Sequence, residues 1–148
     1  MTISNKPSKA RQPSGSTASP QYVQAAQLNC FGFSEKTWQA AKDEACAILV
    51  AKARTRSFIT YSDLAAQLTT IYFAYDDERF FALLGTLASD EEAAGRGLLS
   101  VLVIHKYGDM QPGKGFYRLA KYWGRNIPDP TTFWVEEFKS IWNYWQSH

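Results

Sequence analysis

Residues 98–104, LLSVLVI, form a continuous apolar run with three β-branched side chains, in a chain whose other apolar patterns repeat at helical spacing. Such a run predicts a short strand. It ends in His105-Lys106, followed by Tyr107-Gly108-Asp109 as a turn and by residues 111–115, where Pro112 and two glycines argue against a helix. One strand set among helices predicts a mainly α, α+β fold. A buried strand that ends in a titratable pair and an irregular loop is a usual place for a site.

Several helices are predicted around this run. Ser34 caps the first, which runs to Arg54 and Arg56 with Trp38, Ala41, Ala45, Ile48 and Leu49 on one face. Thr60 caps a short second helix, YSDLAAQL, with Asp63 at the capping-box position. The third begins near Asp76-Asp77-Glu78 and buries Phe80, Leu83, Leu84 and Leu87, and residues 89–92 start a further short turn. Residues 116–123 read as a short helix closed by Gly124. Thr131 or Thr132 then caps a terminal aromatic helix whose stripe is Trp134, Phe138, Ile141 and Trp145. Phe133, Trp142 and Tyr144 fall off that stripe, which predicts an apolar interface for a second copy or a protein partner.

A length of 148 residues with 45% hydrophobic content suits one domain. Residues 1–20 are rich in Ser, Pro and Lys and predict a disordered tail, leaving 21–148 as the domain. No apolar run approaches the roughly 20 residues of a membrane span and no secretory signal is visible. Cys30 and Cys46 have neither disulfide-framework nor zinc spacing, which fits a reducing cytoplasm and predicts no metal and no cofactor. The net charge of +2 comes from the tail, which holds three bases and no acid; beyond it, 13 bases face 14 acids. Residues 61–100 carry seven acids and two bases, residues 101–148 six bases and four acids, so the chain is polarised rather than broadly basic.

The segment Ile59-Thr60-Tyr61-Ser62-Asp63-Leu64-Ala65, with Leu84-Gly85-Thr86-Leu87 and Ile104-His105-Lys106 after it, resembles the C-terminal domain of the O6-alkylguanine-DNA alkyltransferase and alkyltransferase-like family. The family's T-Y-x-x-I/L-A, V-G-x-A-L and C-H-R motifs match these three places, over roughly residues 37–117. Three helices, the middle one short, followed by a strand and a loop also make the order of a winged-helix-like fold, with a strand or hairpin wing, an aromatic terminal helix and the third helix directed at the major groove. The resemblance implies the same scaffold. It also implies DNA as the ligand. Ile104 stands at the acceptor cysteine, which excludes alkyl transfer to sulfur there, and Ala82 stands at the base-flipping arginine.

Lys106, Lys114, Arg118 and Lys121, with Arg125 and interleaved aromatics, form the candidate nucleic-acid surface. His105 with Asp109 across the turn is the candidate pair for general-base chemistry in a small hydrolase or transferase. Ser100 is the nearby hydroxyl, but it stands several residues back and has no elbow motif. The reading is therefore a non-enzymatic binding module for DNA. A protein-interaction role for the acidic third helix (Asp76, Asp77, Glu78, Asp90, Glu91, Glu92) or the aromatic helix is its alternative.

Overall fold

The computed structural model describes residues 30–148, so the tail at 1–20 and the start of the domain at 21–29 lie outside the described residues. After a 3-10 turn at Cys30–Gly32, the order is α1 (Glu35–Arg54), β1 (Ile59–Thr60), α2 (Tyr61–Gln67), α3 (Glu78–Ala93), a 3-10 turn (Leu99–Leu102), β2 (Val103–Ile104), α4 (Lys114–Tyr122) and α5 (Pro130–Gln146). The fold is mainly helical α+β. Among the described residues no helix is long and apolar enough to cross a membrane.

The predicted caps of α1 and α2 are in place. Ser34 Oγ accepts from Thr37 N at 3.0 Å and Thr60 Oγ1 from Asp63 N at 3.1 Å. At α5 the cap lies earlier than predicted. Asp129 accepts from Thr132 N and Pro130 occupies the first turn, because a proline there gives up no needed hydrogen bond. Residues 89–92 continue α3 without a break, and Lys114 and Gly115 form the first turn of α4.

The predicted strand at 98–104 survives only at its last two residues. Residues 98–102 are buried, and the 3-10 turn among them packs against α1, α3 and α5. Helices offer no ladder to a strand, so the backbone pairs locally: Val101 N donates to Leu98 O at 3.0 Å. Val103 and Ile104 turn extended where a partner exists, lying opposite Ile59 and Thr60 in parallel. Parallel pairing requires a crossover, here supplied by α2 and α3, whereas a hairpin wing requires adjacent antiparallel strands. A winged-helix hairpin is therefore not what these strands make.

Burial also changes the role of α3. Residues 82–88 are buried without interruption, on every side of the helix for nearly two turns. This is the central helix of the core, not a helix with a face free for a groove. The C-terminal stripe packs against the core, with Ile141 buried and Trp134, Phe138 and Trp145 half-buried. Phe133 is buried as well, and Phe58 packs between Trp134, Phe138 and Trp142 at centroid distances of 5.7, 4.9 and 5.1 Å. Phe133, expected off the stripe, is thus a core residue. The large exposed side chains are elsewhere, chiefly Tyr72, Tyr75, Tyr107 and Met110.

Candidate functional site

A cavity of about 410 Å³ opens where the end of β2, the start of α2 and the start of α4 meet α3. Leu84 and Gly85 of α3, Ser100, and Phe116 and Leu119 of α4 supply its buried lining. Tyr61, Phe81, His105, Lys114 and Arg118 supply its more exposed lining.

Tyr61 organises the opening because it begins α2 directly after β1. Its ring meets Phe81 edge-on at 5.8 Å and lies tilted against His105 at 5.1 Å, and its hydroxyl accepts from Gly113 N at 2.9 Å. Gly113 is the residue before α4, and the space beside it is tight. A Cβ there would stand 3.2 Å from His105 Nε2 and 3.4 Å from Tyr61 Oη. No side chain caps α4, so the first amides of the helix lie next to Lys114 and the cavity.

The loop between β2 and α4 is closed by His105 N donating to Gln111 O at 3.0 Å. Gln111 is held in turn by Tyr117 Oη, which donates to its Oε1 at 2.8 Å. Burial, then the nearby charges of Asp109 and Tyr61, push the Tyr117 phenol up to about 12, so it stays a donor throughout the neutral range. Asp109 does not orient His105. Its carboxylate instead accepts from Gln111 N at 3.0 Å, as Asp commonly does in a turn. Ser100 and His105 do line one cavity, yet no hydrogen bond joins them. The hydroxyl, imidazole and carboxylate are therefore not arranged as a nucleophile, base and orienter.

The predicted cations divide in two. Lys106, Lys114, Arg118 and Lys121 are exposed, and among the described residues none has a carboxylate within salt-bridge distance. Arg125 belongs to the interior. It donates to Glu92 at 2.7 Å and to Glu137 at 2.6 Å, and Glu137 also accepts from Leu98 N at 2.9 Å. Burial alone would lower the Arg125 pKa, but the hydrogen bonds and charges of the two carboxylates outweigh it and raise it.

The acidic run on α3 changes meaning for the same reason. Glu91 and Glu92 are only 7% and 5% exposed and are bound to Arg96 and Arg125. Asp90 pairs with Lys42 at 2.7 Å, and Asp77 caps α3 while holding Arg79 at 2.7 Å. Asp76 and Glu78 remain exposed without such a partner among the described residues. Nor do any three His, Cys, Asp or Glu side chains of the described residues gather as a metal site.

Sequence reasoning set aside one member of the site. Ser100 is 7% exposed and lines the cavity, yet its hydroxyl makes no hydrogen bond within the described residues. A lone hydroxyl inside an otherwise apolar run was the available signal. The chain matches no protein-family model, no curated protein and no solved structure.

Proposed function

We propose that this protein is a non-enzymatic nucleic-acid-binding module, with DNA as its ligand, that binds through α4 and the loop before it. The observation that carries this reading is the stripe Lys114, Arg118 and Lys121. Positions four and three residues apart share one face of a helix, and these three cations are exposed and free of carboxylate partners among the described residues. Lys106 and the 80%-exposed Tyr107 extend the surface into the loop, a combination of charge and aromatic face that suits phosphates and bases. The resemblance of residues 59–65 to the alkyltransferase-like domain agrees with it, since Thr60 caps α2 and Tyr61 stands at the cavity.

Fluorescence anisotropy against duplex and single-stranded DNA over a salt series tests the reading. Lys106→Ala, Lys114→Ala, Arg118→Ala and Lys121→Ala should each weaken binding. Every phosphate left without its cation should also lessen the slope of log K on log salt, by about 0.9 for a duplex and about 0.7 for a single strand. Absence of binding to either at low salt would end the proposal.

A further inference from the structure

We infer that the cavity between α3 and α4 holds a free, planar heteroaromatic molecule carrying one anionic group. Ser100 pairs with a ring heteroatom, and Lys114 and Arg118 receive the charge. This inference goes beyond the nucleic-acid reading and does not depend on it.

Three features of the cavity converge on that chemistry. Its walls are largely aromatic and aliphatic: Tyr61, Phe81, Leu84, Phe116 and Leu119. A volume of about 410 Å³ lies in the range of small-molecule pockets and exceeds what a bare phosphate needs. The walls are already held in place, because Tyr61 is braced by Phe81, His105 and the amide of Gly113 before any ligand arrives.

Ser100 supplies the second feature. Two buried hydroxyls lie close to this part of the core, and they differ. Thr86 donates to Leu83 O at 2.9 Å, the usual solution for a hydroxyl on a buried helix. Ser100 is equally buried at 7% exposure and has no such partner among the described residues. Its hydroxyl is not sealed in the packing, for it lines the cavity. Solvent in the cavity can complete it, so a ligand that displaces that solvent must supply the hydrogen bond in its place. A purely hydrocarbon ligand would leave it incomplete, whereas a ring nitrogen or carbonyl would accept its proton.

The third feature is charge. Lys114 and Arg118 stand one helical turn apart and line the same cavity as Ser100. Ring, heteroatom and anion therefore fit inside one volume, which suits a complete small molecule. A carboxylate or a phosphate monoester would serve equally as the anion.

Titration calorimetry on the full chain, with probes that differ in one group, tests this. A quinolinecarboxylate should bind about 3–10-fold tighter than the naphthoate of the same shape, which lacks the ring nitrogen. It should also bind at least about 5-fold tighter than uncharged quinoline. Ser100→Ala should erase the preference for the ring nitrogen and leave naphthoate binding unchanged. Arg118→Ala should weaken both carboxylates and spare quinoline. A purine nucleoside monophosphate run beside the quinolinecarboxylate identifies the anion: tighter binding of either one supports the inference and names the source. Equal binding of naphthoate and quinolinecarboxylate by the unaltered protein would overturn it. So would the absence of heat from every probe at millimolar concentration. Lys106 and Lys121 do not line the cavity, so Lys106→Ala and Lys121→Ala should weaken DNA binding and leave the probes alone, which separates failure of one reading from failure of the other.

Discussion

At the end of α3, Glu91 and Glu92 are buried and bound to Arg96 and Arg125, whereas at the start of α4, Lys114 and Arg118 are exposed with no carboxylate beside them among the described residues. Both places look alike in the sequence, as short clusters of one charge. In the first, each acid meets a guanidinium in two-point contact and its charge is neutralised inside the fold. In the second the charge is left available beside a cavity. A charge run is thus informative about function only once its partners are known.

The two places should respond most differently when Arg125 is removed. Arg125→Ala removes the guanidinium that Glu92 and Glu137 share inside the fold and should cost ~3–5 kcal/mol of stability. Guanidinium melts would show it, and a loss below about 1 kcal/mol would mean that water already reaches these carboxylates. Next comes Gly97, which joins α3 to the buried turn with φ 94° and would place a Cβ 2.7 Å from Ile141 Cδ1. Gly97→Ala should cost about 2–4 kcal/mol, combining backbone strain with overpacking against α5. The thermal midpoint of that variant checks the figure.

Glu44 extends the contrast on the acidic side, because it is a carboxylate near the surface that nonetheless has a structural task. It accepts from Thr69 Oγ1 at 2.7 Å and from the amides of Thr69 and Thr70, fastening the segment after α2 to α1. The Thr69 hydroxyl hydrogen bond is the chief cause holding its pKa below the usual carboxylate value, against the opposing effect of burial. A depressed folded pKa contributes stability above the unfolded value, about 4.3, and that contribution is lost as pH falls through the folded value. Glu44→Gln should therefore cost about 1 kcal/mol or less at pH 7, and the gap to the unaltered protein should close below about pH 4. A gap that persists undiminished at pH 3 would assign the effect to packing. The smallest expected effect is at the open cations: Lys114→Ala and Arg118→Ala should change stability by no more than about 0.5 kcal/mol. A larger loss would place them in the structure and weaken their claim to a ligand.

The helices of this protein were legible because their signals are local. Ser34 and Thr60 cap where their side chains can reach the third residue onward. The apolar spacing picks out Trp38, Ala41, Ala45, Ile48 and Leu49 in α1 and Phe80, Leu83, Leu84 and Leu87 in α3, all buried except the half-buried Ile48. His105, Lys114 and the glycine loop, singled out in the sequence, line one cavity. Residues 98–102 were not, for an apolar run of β-branched and leucine residues reads as a strand whatever surrounds it. Only the helices packed around it turn most of it into a 3-10 turn.

Caps, periodicity and glycine act within a few residues, and so the chain alone was enough to specify the helices, the apolar make-up of the core and the position of the loop that follows His105. Contacts between distant segments settled three other matters. They set the parallel pairing of Ile59–Thr60 with Val103–Ile104 across two intervening helices. They buried Arg125 against Glu92 and Glu137 while leaving Lys114 and Arg118 open. They also brought Ser100 to the same cavity as Tyr61, 39 positions earlier in the chain. The reason is common to all three. Burial and partnership belong to pairs of residues far apart in sequence, and no local pattern of side chains encodes which of two like charges will find its counter-ion.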